Sequence, residues 1–255
     1  MKKKIFALLL TTMLTVSSLA GCGSSSSDGT KGANGTLKVG TNAAFPPFEY
    51  VGDDGNPDGF DIALINAIGE KLNMDVQVQD MEFESLCTSI GNKIDVAIAG
   101  MTITEERLNT VDFSDSYYEA VQAVLVPKGS TIATADDLKN LKIGAQLGTT
   151  GEFIASDIEG ATVSAYNKAV DAVNDLNNGR LDCVIVDKNP AEVFGSQFSD
   201  KLDVIDGTAF DFEPEFYAIA LPKGNTDLAT KINDALKELK NDGTYDSLVK
   251  KYIEE

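Results

Sequence analysis

The sequence predicts an α/β fold made of two similar lobes. Short apolar runs of strand length alternate with helical stretches along the chain, and this alternation begins again near residue 123. The apolar strands are short enough and buried enough in character to suit sheets that are partly parallel. With 255 residues, the chain has room for one large domain or two small ones.

The elements follow in order. Leu37 to Thr41 reads as a strand. Residues 59–74 place Ile62, Ile65, Ile68 and Leu72 at helical spacing. Val76 to Val78 reads as a strand, Phe83 to Ile90 as a short helix, and Ile94 to Ala99 as a buried strand. In the second half, Ala123 to Val126 is a strand closed by Pro127-Lys128-Gly129. A short helix starts at Ala135, a strand runs from Lys142 to Ala145, and Gly148 to Gly151 turns into a helix from Glu152. A helix around Lys168 to Asn177 leads to a strand at Asp182 to Val186. Phe216 to Leu221 is a further strand, ended by Pro222-Lys223-Gly224. A helix from Asp227 to Asn241 turns Leu228, Ile232, Leu236 and Leu239 inward, and a last helix carries Tyr245, Leu248, Val249 and Tyr252. No fixed period relates the two halves.

The first residues are a separate matter. Lys2, Lys3 and Lys4 precede an apolar run from Ile5 to Leu14, and small residues follow, the parts of a secretory leader over residues 1–21. The run is shorter than the ~20 apolar residues a bilayer span requires. Leu19-Ala20-Gly21-Cys22 resembles the bacterial lipobox, which implies that Cys22 is diacylated and becomes the mature N-terminus. Residues 22–36 then read as a flexible Gly/Ser tether. Two acyl chains are what stable anchoring takes. The expected location is outside the cytoplasm, held to a membrane by lipid and not by a span.

Charge excludes one class of partner. The formal net charge of −19 becomes −22 once the leader and its three lysines are gone, which argues against nucleic acid. Cys87 and Cys183 lie in apolar contexts, far apart in sequence, and are expected as buried free thiols. The chain has no histidine and no CxxC, so it offers neither a Cys/His metal site nor a His-based catalytic pair. Gly148-Thr149-Thr150-Gly151 is neither a Walker loop nor a dinucleotide fingerprint. No cofactor is expected, and nothing points to an enzyme.

Several segments, in order, resemble the extracellular solute-binding proteins of family 3, the polar amino-acid receptors of ABC importers. They are Thr41 to Tyr50 (TNAAFPPFEY), Gly59 to Leu64 (GFDIAL), Gly100 to Arg107 (GMTITEER) with Asp112-Phe113-Ser114, Ile143 to Thr150 (IGAQLGTT), and Asp182 to Asp187. Gly100 to Arg107 is the most specific of these, and the resemblance covers about residues 37–253. Ala63 departs from the pattern, which usually has an acid there; the position is on the helix surface and does not bear on binding.

The resemblance implies a two-lobed periplasmic-binding-protein-like fold of type II with two crossover hinge strands. Lobe 1 would be 37–116 with 218–255 and lobe 2 would be 122–212, with hinges near 117–121 and 213–217. It also implies a cleft for an amino-acid zwitterion. Such a ligand needs a guanidinium and N–H donors for its carboxylate, and a carboxylate for its ammonium. Arg107 would take the carboxylate, helped by Gly100 and Thr102. Thr150 would help from a helix start, whose alternative role is a simple cap. Asp187, at the end of an apolar strand, would take the ammonium. Phe45 and Phe83 would wall the side chain, with Phe48 in the core, and Glu105 and Glu106 would cap their turn in water.

Specificity stays open between two classes. Asn42 stands where members that bind basic ligands often have Asp, which leans toward a neutral polar ligand such as glutamine. Glu82 and Glu84 flank Phe83 and would supply charge to lysine or arginine. Gln146 is a further candidate for reaching the side chain. The expected partners are therefore a polar L-amino acid and the permease subunits of an ABC transporter, with the receptor acting as a monomer. A dehydratase-like enzyme on the same fold, or a ligand-sensing domain, are the alternatives. The first would need an acid/base in the cleft, and the second a transmembrane segment or output domain.

Overall fold

The computed structural model describes residues 35–254. The leader, Cys22 and the tether through residue 34 lie outside the described residues. Among the described residues no helix is long and apolar enough to cross a membrane.

The first half contains β1 (Thr36–Thr41), β2 (Ala44–Phe45), β3 (Glu49–Val51), β4 (Pro57–Asp58), α1 (Phe60–Leu72) and β5 (Asp75–Asp80). A 3-10 turn at Phe83–Ser85 then leads into α2 (Leu86–Ser89), followed by β6 (Val96–Ala97), α3 (Glu105–Leu108), β7 (Val111–Phe113) and β8 (Tyr118–Ala120). The second half runs β9 (Gln122–Pro127), β10 (Lys142–Gln146), α4 (Thr150–Asp157), β11 (Thr162–Tyr166), α5 (Ala169–Asn177) and β12 (Cys183–Asp187). After these come α6 (Lys188–Gln197), β13 (Leu202–Asp206), β14 (Glu215–Tyr217), β15 (Ala220–Pro222), α7 (Thr226–Asn241) and α8 (Thr244–Tyr252).

Two five-stranded sheets result, ordered β5-β1-β6-β15-β7 and β11-β10-β12-β9-β13. In each, the strand that starts the lobe's βαβ run lies second from one edge and pairs in parallel with two neighbours: β1 with β5 and β6, and β10 with β11 and β12. The remaining strands join antiparallel. Strands covered on both faces read as continuous apolar runs, and β12 (Cys183–Asp187) is buried at every position. Between the sheets the chain passes twice, through β8 and β14, which pair with each other as a two-stranded antiparallel ribbon. The fold is thus two sheet-rich α/β lobes joined by two crossing strands.

Helix packing follows the apolar spacing. In α1, Ile62, Leu64, Ile65 and Ile68 are buried, and Asn73 ends the helix in the left-handed conformation. In α7, Ile232, Ala235, Leu236 and Leu239 face the core while Leu228 is half-buried. An aromatic cluster closes the first lobe against the ribbon: Phe48 is fully buried and meets Phe60, Tyr118 and Tyr217 edge-on at 6.2, 5.0 and 5.2 Å between ring centroids.

Several elements differ from the sequence reading. The predicted strand Ile94 to Ala99 narrows to Val96–Ala97, because Gly100 (φ 52) turns the chain out of the sheet. Asp95 and Ile98 still donate backbone N–H bonds to Lys38 and Gly40. The predicted strand Phe216 to Leu221 is broken: Ala218 donates to Met101 and Ile219 to the Ser114 hydroxyl as the chain moves from the ribbon to the first sheet. Helix α6 was hidden by Pro190, which its first turn accommodates because that N–H has no helical partner to lose. Cys183 is buried, but Cys87 is only half-buried, with its Sγ 3.6 Å from the Met101 sulfur.

Gly59 holds the entry to α1 in a conformation reserved for glycine. Its φ is 124° and its ψ 179°, and an added Cβ would lie 2.3 Å from the Phe48 carbonyl oxygen. Gly59→Ala is expected to lower unfolding stability by at least about 1–3 kcal/mol, read as a shift in the urea midpoint. An unchanged midpoint would show that the loop relaxes freely.

Candidate ligand-binding site

The carboxyl ends of the parallel strands converge on one cavity. The chain leaves β1 into Asn42, passes β6 into Gly100, leaves β10 at Gln146 and leaves β12 at Asp187, so each sheet delivers residues to the same place. Asn42, Phe45, Phe83, Gly100, Thr102, Arg107, Gln146, Thr150 and Asp187 all line it, together with Glu49, Ala99 and Thr149. About 300 Å³ of space between atoms, open solvent included, lies among these residues, and the lobes close tightly around it.

Arg107 is aimed by a helix of only four residues. Thr104 caps α3, its hydroxyl accepting the Arg107 backbone N–H at 3.2 Å. Glu105 and Glu106 are exposed, so the capping predicted for them falls to Thr104 instead. The buried guanidinium donates from Nη1 to the Thr102 carbonyl at 2.6 Å and from Nη2 to the Gly148 carbonyl at 2.9 Å. It lies over the Phe83 ring at 5.2 Å. It forms no ion pair with a carboxylate among the described residues. Two of its five donors are spent on carbonyls and the others remain for a ligand. Burial pulls its pKa below the usual value.

Gly100 is fixed from below. Its N–H donates to Asp61 Oδ2 at 2.8 Å, and the same oxygen accepts the Tyr117 hydroxyl at 2.7 Å. A side chain at Gly100 would meet the Phe45 ring at 2.9 Å. In the second lobe, Thr149 caps α4 by accepting the Glu152 N–H, which leaves Thr150 free of the capping role. The Thr150 hydroxyl instead donates to Glu215 Oε2 at 2.8 Å, an oxygen that also accepts the Thr102 hydroxyl at 2.5 Å. Glu215, from β14, thus ties one lobe to the other at the cavity edge. A second tie runs from Gln146 Nε2 to Asn42 Oδ1 at 2.8 Å. Gln146 spends its amide N–H groups on Asn42 and the Asn167 carbonyl, and Asn42 donates to the Met81 carbonyl.

Acids crowd the floor. Asp187 accepts the Tyr217 hydroxyl at 2.5 Å, and burial with the nearby Glu215 charge raises its pKa to about 7. Burial raises Asp61 to about 6. Glu49, fully buried, is pushed well above its ordinary range by burial and then by Asp61. Neither of its oxygens has a hydrogen-bond partner among the described residues, so burial beside Asp61 favours its protonated form. Glu82 and Glu84, expected to bring charge to the site, are exposed and line none of this cavity. Sequence reading missed Glu49, Glu215 and Gln122, whose Nε2 donates to the Thr150 hydroxyl at 3.2 Å. Glu49 had a legible signal, a lone acid inside the apolar run Phe45 to Tyr50. Glu215 had none, since it depends on how the ribbon crosses.

This architecture, two α/β lobes meeting at a buried cleft, is that of a solute-binding protein. The model of the bacterial extracellular solute-binding proteins, family 3, matches residues 37–255, and the chain belongs to that family. It is 34% identical to the probable histidine-binding protein of Neisseria gonorrhoeae, covering 99% of this chain and 96% of that one. It is also 34% identical to the ABC transporter glutamine-binding protein GlnH of Bacillus subtilis (strain 168), over 99% of this chain and 98% of the relative. Among solved structures, an ancestral arginine-binding protein bound to arginine superposes with a TM-score of 0.80 at 42% identity, covering 86% of this chain and 98% of that one. These relatives are binding proteins, not enzymes; a further solved neighbour, with a TM-score of 0.78 at 34% identity, is an ancestral amino-acid-binding protein described as a precursor of cyclohexadienyl dehydratase.

The raised pKa of Asp187 has a stability consequence. Folded, it holds its proton up to about pH 7, whereas unfolded it ionises near 3.8. Its contribution is complete below the unfolded value and is lost as pH rises through the folded one. In ligand-free protein, Asp187→Asn should gain stability relative to wild type between about pH 4 and about pH 7, by on the order of a few kcal/mol. Thermal melts across that range check this, and parallel curves would contradict it.

Proposed function

We propose that the chain is the extracytoplasmic receptor of an ABC importer, binding a polar L-amino acid in this cavity and delivering it to the permease. One observation carries the reading: Arg107 of α3 and Asp187 of β12, buried groups of opposite sign from different lobes, face one cavity without pairing. Arg107 takes the ligand's carboxylate, with Thr102 and Thr150 as neighbouring donors once their hydroxyls turn from Glu215 to the ligand, and Gly100, its N–H held by Asp61, shaping the wall beside them. Asp187 takes the ammonium. Phe45 and Phe83 flank the side chain, and Asn42 and Gln146 stand where a polar head would end.

The lobes are 37–116 with 218–255 and 122–212, and the segments 117–121 and 213–217 act as the hinge. A ligand that touches both lobes binds the closed form more tightly and so shifts the protein toward it. The permease then distinguishes closed from open receptor. A diacylated Cys22 holds the monomeric receptor at the membrane surface.

Arg107→Ala is expected to abolish amino-acid binding in calorimetry, a loss of at least about 100-fold, while the circular dichroism spectrum stays native. Affinity within a few-fold of wild type would overturn the site. In the same cells Cys22→Ala should lose incorporation of labelled palmitate and appear in the medium; unchanged labelling would place the lipid elsewhere.

A further inference from the structure

Glu49 is the one charged residue of the cavity that the reading above does not employ. It sits on β3, opposite Phe45 in the register of the small β2–β3 pair, and its side chain lines the cavity while being fully buried. Neither carboxylate oxygen has a hydrogen-bond donor, and the adjacent Asp61 Oδ1 has none either. Carboxylates in such surroundings are costly unless a cation reaches them.

The groups around it supply no cation for that purpose. From α1 comes Asp61, from the start of the ribbon the Tyr117 hydroxyl that Asp61 accepts, and from β12 Asp187, bonded to Tyr217 of β14. Glu215 of β14 is occupied with the Thr102 and Thr150 hydroxyls. Arg107 is the one cationic side chain lining the cavity, and the ligand's carboxylate claims it. Once a zwitterion's carboxylate and ammonium are placed on Arg107 and Asp187, Glu49 is left over. The neutral groups suited to reading an amide side chain, Asn42 and Gln146, are bonded to each other across the lobes.

We infer that Glu49 selects the ligand's side chain by accepting a cationic head, a guanidinium or a terminal ammonium, so that the site prefers a basic amino acid. The inference rests on the proposed amino-acid site and deepens it. The alkyl stem of such a ligand lies between Phe45 and Phe83, and its head takes the place of the proton that burial otherwise keeps on Glu49. A neutral amide leaves that proton where it is.

The test is calorimetry on the full chain with arginine and citrulline, which match in shape and in α-groups and differ in the charge of the head. Wild type should bind arginine about 10- to 100-fold more tightly. Glu49→Gln should remove most of that preference while citrulline affinity stays within a few-fold. Repeating the wild-type titrations in two buffers of different ionisation enthalpy needs no variant: arginine should release more protons than citrulline. Equal affinity of wild type for the two ligands, equal proton release, or an unchanged preference in Glu49→Gln overturns the inference. So does an equal loss for both ligands in that variant, which would put Glu49 on the ammonium. Failure of the amino-acid site itself is distinct, because wild type would then bind neither arginine nor citrulline.

Discussion

The buried guanidinium of Arg107 is the constraint around which the cleft is organised. A cation removed from water needs partners, and this one receives two carbonyls, one from each lobe, but no carboxylate. Asp187 stands in the same cavity with its own charge opposed by burial. Two opposite groups held apart at the cost of desolvation suit the zwitterion proposed above, because a ligand that carries both charges would compensate both at once. Direct pairing between them would stabilise an empty protein and leave less to gain from ligand.

The scaffold keeps this arrangement by simple means. Parallel strands end at the same face, so four loops meet without long connections. The Thr104 cap orients a single helical turn, and through it Arg107. Asp61, buried under Gly100, fixes the N–H that lies on the cavity wall. The ties at the cleft, Glu215 to two threonines and Gln146 to Asn42, join the lobes through polar bonds beside the apolar packing that runs between them. Such bonds exchange readily with water, which suits lobes that part and rejoin.

Much of this was legible in the chain itself. Periodicity found the strands that begin each lobe and the long helices, because those are buried on a regular face. It passed over β11 and β13, whose residues are half-buried and mixed, and α6, whose Pro190 reads as a turn. The nine residues assigned to binding do share one cavity, and the resemblance of Gly100 to Arg107 to a known family supplied most of them. Glu49, Asp61 and Glu215 were not assigned. Their significance comes from burial and from the absence or sharing of partners, which depend on contacts distant in sequence: Asp61 with Gly100, Glu215 with Thr102 and Thr150. The acids chosen from sequence, Glu82 and Glu84, were near Phe83 along the chain but on its exposed side.

The central claim is that one zwitterion bridges Arg107 and Asp187. A crystal structure of the mature chain with its amino acid bound tests it most directly. The account predicts the ligand's carboxylate on the Arg107 guanidinium and its ammonium on the Asp187 carboxylate, each within hydrogen-bond distance. A ligand with its α-groups elsewhere, or with Arg107 still holding only the Thr102 and Gly148 carbonyls, would contradict it.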